Sequence, residues 1–285
     1  MAPPAESPAF SRTYSVLLRT IVGFFSHGAP LIAGHLAFML LLTLFPFLVF
    51  LVALAGFIGN TEAGTVIVAF IFENMPENVA VVFEGPILEV LQELRGGLLT
   101  LGVAGALWTA ASALEGARAG VERAFAEQSP APFWRRSLES IALVVVGGAL
   151  LVLGVTALLL APVLWQDAAS RLGFQNLPAM ELGPYRTFLG VFSVFVLLSA
   201  LYAMLPAKRP PWRGIFPGAA LTLVLWGLAV ATFTLYLRNF GAYGVTYGSL
   251  GGVVVAMVFF YLLGAIFLFG AELNAALATP PSSHT

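Results

Sequence analysis

"SLGGVVVAMVFFYLLGAIFLFGAELNAAL" occupies Ser249 to Leu277, and its reading decides the fold class. From Ser249 to Ala271 the stretch carries no charged side chain. A helix needs about 20 predominantly apolar residues to cross the hydrocarbon of a bilayer. Backbone groups in hydrocarbon must bond within the chain, so the segment reads as a membrane helix rather than a strand. Its end is marked by two polar residues, Glu272 and Asn274. The carboxylate poses the functional question: an ion or proton site inside the membrane, or the level at which the membrane ends.

The rest of the chain matches this segment. Of 285 residues, 59% are hydrophobic and 9% are charged, whereas soluble domains carry about 25% charged residues. Mean hydropathy is +0.94. A soluble fold with this composition would lack the polar surface to cover itself, so an integral membrane protein in contact with a lipid bilayer is expected. A net charge of −1 gives no field that would recruit nucleic acid. The chain has no cysteine, which excludes disulfides, thiolate metal sites and cysteine nucleophiles. The first thirty residues hold no apolar core followed by a small-residue cleavage site, so no cleaved signal peptide is expected.

Division of the chain at its charges gives six spans: Leu36 to Thr61, Gly96 to Leu114, Ser140 to Gln166, Thr187 to Ala207, Gly214 to Leu237, and Asn239 to Ala271. With the N-terminus inside, nine basic residues fall in inner segments and four in outer ones. That bias places both termini in the cytoplasm. The fold class is therefore all-α, a polytopic six-helix membrane protein, with amphipathic interfacial helices added. Residues 1–30 form a cytoplasmic segment, 31–277 the membrane domain, and 278–285 a disordered tail.

Phe10, Tyr14, Leu17, Leu18, Ile21, Val22 and Phe25 recur at helical spacing, with Arg12 and Arg19 off the stripe. An interfacial helix and a simple lead-in to the first span both fit this pattern. The outer loop 61–95 is acidic and holds a second stripe from Val79 to Leu94, read as an external amphipathic helix. Trp134, Trp165 and Trp212 fall at span ends, whereas Trp108 and Trp226 fall inside spans and are expected between helices. Pro46 interrupts the first span, removes one helix hydrogen bond and crowds the carbonyl of Leu42, with Thr43 as a local partner for the freed backbone. Gly248 and Gly252, Gly214 and Gly218, and Gly116 and Gly120 are pairs at a spacing that lets helix backbones approach.

No metalloprotease, nucleophile-elbow or phosphate-loop motif is present, and three scattered histidines do not make a metal site. An enzyme is not expected; catalytic residues, metal and cofactor are all read as none. Intramembrane hydroxyls such as Thr109, Ser199 and Thr222 are expected to bond their own backbone or a neighbouring helix.

Four blocks carry a resemblance to one family. They are "GHLAFMLLLTLFPFLVF", "LGVAGALWTAASALEGARAGVERAF", "LYAMLPAKRPPWRGIFPGAALTLVLW", and the final block with its Tyr-Gly-Ser-Leu-Gly and Gly-Ala-Glu-Leu-Asn motifs. From roughly Gly23 to Leu277 the chain resembles the YihY / virulence factor BrkB family of bacterial inner-membrane proteins. Phe38 and Thr43 stand where that family more usually has tyrosine and serine. The resemblance implies a multi-pass protein of the bacterial inner (plasma) membrane, tied to the cell envelope. It supplies no catalytic set, and the ribonuclease label attached to the family finds no site here. Pro46, Pro217, Gly218, Tyr247, Gly248, Glu272 and Asn274 occupy its recognisable blocks.

Two functions are weighed. One is a transporter or flippase-like protein for an envelope lipid or small solute. The other is a non-transporting scaffold that holds an envelope-assembly protein through the outer loop. Ser249 to Glu272 spans about 35 Å at the helical rise, longer than a hydrocarbon core of about 30 Å. Glu272 is thus expected at the cytoplasmic edge as a structural latch, bonded to Arg118, Arg123 or helix-end donors, with Asn274 in the same layer.

Overall fold

The structure is a computed structural model that describes residues 8–58, 96–127, 132, 134–148, 182–208, 210–239 and 249–278. Regular structure among these residues is α-helical. The helices are α1 (Pro8–Ser26), α2 (Ala29–Ile58), α3 (Gly96–Ala124), α4 (helical residues 134–148), α5 (Leu182–Met204), α6 (Trp212–Asn239) and α7 (Ser249–Ala278). The outer loop 61–95, Trp165, Tyr247, Gly248 and the tail 279–285 lie outside the described residues.

Local chemistry sets the helix ends. Gly28 turns the chain between α1 and α2 with φ +72°, a left-handed conformation that strains residues bearing a Cβ. Leu31 N–H and Ile32 N–H both donate to its carbonyl. Pro30 sits in the first turn of α2, where its missing N–H leaves no bond unmade. The helix therefore begins at Ala29, ahead of the expected Leu36. At its far end α3 closes with Ala126 in the left-handed region and Glu127 N–H bonded to Glu122 O at 2.8 Å.

Helix α7 is the hub and touches α1, α2, α3 and α6. It continues past the expected Ala271 to Ala278, so Glu272 and Asn274 lie within the helix rather than after it. Its Phe267, Leu268, Ala271 and Ala275 are buried with Ile32, Leu36, Val121, Leu198, Tyr202, Ile215 and Ala219.

The outside of the bundle is apolar. Leu101, Trp108, Phe188, Phe192, Val224, Leu228, Val254 and Val258 are exposed, whereas Arg118, Glu122, Thr222, Glu272 and Asn274 are buried. A monomer in water does not display so much apolar surface; hydrocarbon would cover it at no such cost. Among the described residues, Trp212–Leu237 and Gly251–Ala278 are long and apolar enough to cross a membrane. Tyr14–Ser26 and Ala29–Leu44, bent by 63° at the turn, make a third if they form one span. Two to three spans thus stand on length and composition, beside the six read from the sequence. Much of the third expected span, residues 149–166, falls outside the described residues.

Trp108 departs from expectation: its side chain is 77% exposed and does not pack between helices. It projects from the apolar outer surface, where a large ring suits lipid better than a crowded helix crossing. Trp226 is half-buried and bonds α7, as expected of a tryptophan between helices.

Candidate functional site

Helix α7 presents two faces. On the first, Leu263, Phe267, Gly270 and Asn274 follow one another at helical spacing. Opposite them on α6 stand Trp226, Thr222 and Gly218, four residues apart and in descending order. The two helices are therefore antiparallel along this face, and each step carries a polar contact. Trp226 Nε1 donates to Leu263 O at 3.0 Å. The Tyr202 hydroxyl, from α5, donates to Phe267 O at 2.6 Å and meets Thr222 Oγ1 at 2.7 Å. A carbonyl can only accept, so the tyrosine proton points at Phe267 and Thr222 supplies the hydrogen of the second bond. The Tyr202 ring stacks on Phe267 with centroids 4.9 Å apart. Gly218 N–H donates to Asn274 Oδ1 at 2.7 Å.

Glycine makes these contacts possible. A Cβ on Gly218 would strike Gly270 O and the Asn274 side chain, and one on Gly270 would strike Thr222 Oγ1 and the Tyr202 hydroxyl. Pro217 sits beside this contact, exposed, with no N–H of its own and a ring that crowds the carbonyl of Arg213. Asn274 is fully buried, and among the described residues its amide Nδ2 has no hydrogen-bond partner.

The second face of α7 is Gly264, Leu268 and Glu272. A Cβ on Gly264 would lie 3.3 Å from Leu36 Cβ on α2, and one on Gly120 of α3 would overlap Leu268 Cδ2. At Glu272 the face ends in a charge. Its Oε1 lies 2.8 Å from His27 Nδ1, in the turn after α1. A Cβ on Gly23 would come 2.5 Å from Glu272 Oε2, so α1 can lie on the carboxylate only where it has no side chain.

The partners expected for Glu272 are placed elsewhere. Arg118 is buried between α3 and α4, where it donates to Glu139 Oε2 and to Ser140 Oγ, each at 3.3 Å. Arg123 is exposed and lies against the α1–α2 turn, 3.7 Å from where a Cβ on Gly28 would be. The side chain that meets Glu272 is His27, which the sequence leaves outside the spans and the fold returns to α7 through the Gly28 turn.

Arg118 belongs to a charged cluster. Glu115, Arg118 and Glu122 share one face of α3 and meet Arg136, Glu139 and Ser140 of α4. Arg136 reaches Glu115 Oε2 at 3.5 Å and Glu122 Oε2 at 3.3 Å. The Ser140 hydroxyl donates to Glu115. Glu122 lies beyond the expected end of its span, and burial pushes its carboxyl above the usual range against the pull of Arg136 and Arg118. Arg135 completes the cluster at Glu139 Oε1, 3.3 Å away, so three arginines meet three glutamates and tie the two helices together.

Pro46 faces Gly105 of α3, whose Cβ would lie 3.2 Å from the proline ring. Thr43 Oγ1 donates to Met39 O at 2.7 Å rather than to Leu42, because a helical threonine reaches the carbonyl four residues back. Thr109 and Ser199 likewise bond the backbone of their own helices.

The comparisons with known proteins bear on this arrangement. The model of the family described as virulence factor BrkB matches residues 20–284. The chain belongs to the virulence factor BrkB family. Among its relatives is a putative ribonuclease-like protein, YfkH, of Bacillus subtilis, 28% identical over 86% of this chain and 88% of that protein. A UPF0761 membrane protein of Aliivibrio salmonicida is 28% identical over 86% of this chain and 77% of its own length. Another, from Pseudoalteromonas translucida, is 27% identical over 86% and 80%. No solved structure matches. The match covers the Gly23–Glu272 contact, both faces of α7 and the α3–α4 cluster, so these features lie within the BrkB region of a membrane protein.

Tyr202, His27 and the α4 residues Arg136, Glu139 and Ser140 were not singled out by sequence reasoning. A signal for the first was present: Gly218, Thr222 and Trp226 are spaced by four, and so are Leu263 and Phe267. That pairing invites a search for a third donor. No local spacing announces the α3–α4 cluster, because its two halves are joined only by the fold.

Proposed function

We propose that this BrkB-family protein is a multi-pass protein of the bacterial inner membrane, with six spans and both termini cytoplasmic. It acts there as a transporter or flippase-like protein for an envelope lipid or small solute. The observation that carries the reading is the polar face between α5, α6 and α7. Within an apolar bundle it runs from Asn274, in the layer of Glu272, through Tyr202 and Thr222 to Trp226 deeper in, and among the described residues the buried Asn274 Nδ2 has no partner. Polar groups at membrane depth are costly and tend to mark pathways. Hydroxyls and amides suit a headgroup or neutral solute, since they can exchange protein partners for ligand ones. The reading includes no catalytic step and needs no metal or cofactor. The ribonuclease-like name stays with the Bacillus relative.

One observation favours a scaffold instead: Gly218 and Gly270 bring α6 and α7 into backbone contact, which closes the seam between these two helices at that level. On that reading the outer loop 61–95 would hold an envelope protein. Reconstitution separates the two. Proteoliposomes containing fluorescent phosphatidylethanolamine or phosphatidylglycerol, or an entrapped radiolabelled sugar, are compared with protein-free vesicles. Faster lipid exchange between leaflets or faster sugar efflux supports transport. Protein-free rates for every probe overturn it and leave the scaffold.

A further inference from the structure

The apolar stripe of α1 faces away from the protein. Tyr14, Leu17, Leu18, Ile21, Val22 and Phe25 are each 47–68% exposed. The opposite side of the helix is the buried one: Val16, Thr20 and Gly23 turn inward, with His27 following in the turn. Thr20 satisfies its hydroxyl on Val16 O at 2.9 Å, so the inward side carries no unmet polar group there. A two-sided helix of this kind would be insoluble alone, and the protein covers only its less apolar side.

We infer that α1 is an in-plane membrane arm. Lipid of one leaflet covers its outer stripe, and the Glu272–His27 pair over Gly23 seats it on the end of α7. Three features favour lipid as the occupant. The stripe is continuous with the exposed apolar surface of α2 at Leu31, Phe38, Leu42 and Phe47. The axis turns by 63° at Gly28, so an α2 that runs across the bilayer lays α1 towards its plane. Arg19, half-buried at the margin of the stripe with its Nε on Ser15 O at 3.3 Å, sets a cation beside the apolar face, as in helices that lie at a bilayer surface. Glu272, a full span away from Ser249, then lies at the same interfacial level as the arm. Its role is to position α1, and this inference rests on the membrane character of the protein, not on transport.

Because the chain has no cysteine, single cysteines are clean probes. Leu18→Cys, Val22→Cys and the exposed turn neighbour Ser26→Cys are labelled with bimane in vesicles that contain lipids spin-labelled at carbon 5 or carbon 12 of the acyl chain. The arm predicts that the labels at 18 and 22 are quenched at least twofold more strongly by the shallow lipid than by the deep one. Adding His27→Ala or Glu272→Gln should lower that shallow quenching and raise quenching by aqueous iodide, while labels on Leu228→Cys, in α6, stay unchanged. Three results overturn the inference: iodide quenching at 18 and 22 equal to that of free dye, stronger quenching by the deep lipid, or efficient oxidative cross-linking of Leu18→Cys between copies. Unchanged quenching in both latch variants would overturn the positioning role of Glu272.

Discussion

The two faces of α7 hold their neighbours in different ways. Towards α5 and α6, contact is polar from Leu263 to Asn274: indole, phenol, hydroxyl and amide groups bond to backbone or to one another, and two glycine backbones touch, whereas nearer the other end Phe259 packs on Phe233. Towards α2, α3 and α1, contact is steric, with glycine and leucine interlocked, until a single carboxylate, Glu272, meets His27. The difference follows depth. A carboxylate at mid-membrane would cost several kcal/mol, about 3 on insertion scales, so charge appears only at the end of the helix. Uncharged donors can be used further in, where the indole of Trp226 and the hydroxyl of Tyr202 each find a backbone acceptor.

The sharpest way to break this comparison is to add one methyl group to each face. Gly218→Ala pushes a Cβ into the Gly270 carbonyl, and backbone cannot move aside; a loss of about 3 kcal/mol is expected. Gly120→Ala meets the tip of Leu268, which can change rotamer, and comes within 3.3 Å of Ile32 Cγ2, so about 1 kcal/mol is expected. Unfolding of both variants in mixed micelles would measure the pair. Equal losses would mean that the two faces are packed alike.

A smaller effect tests the bonds themselves. Tyr202→Phe keeps the stacked ring but removes the hydroxyl that joins Thr222 to Phe267 O, and should cost about 1–2 kcal/mol. The same micelle titration reads it, and a loss near zero would make the polar face incidental. Least costly should be Glu272→Gln. His27 is partly exposed and can turn to water, so global stability should fall by about 1 kcal/mol or less. A larger loss would show that α1 is part of the cooperative core.

These contrasts also show what the sequence could convey. The apolar run from Ser249 to Ala271 announces a membrane helix by itself, and the 23 steps to Glu272 place the acid near an edge. The stripe on α1 is visible as periodicity, but which side meets protein is not. That is decided by Gly23, whose missing side chain matters only once Glu272 lies beneath it. Arg118 was a reasonable partner for Glu272 by level along the bundle; α4 claims it because Glu139 and Ser140 approach from a helix that sequence spacing cannot orient. Tyr202 was hidden among many aromatics, and only the antiparallel pairing of α6 with α7 gives its hydroxyl a purpose.

Transport along the polar face, as proposed, requires that the seam between α6 and α7 open to water or ligand. In the cysteine-free background, Thr222→Cys and Val224→Cys differ only in facing the seam or the outside of the same helix. In vesicles, a small charged thiol reagent should modify position 222 measurably faster than position 224. Equal inertness at both positions, with the protein folded, would contradict the account and describe a closed bundle that carries nothing between these helices.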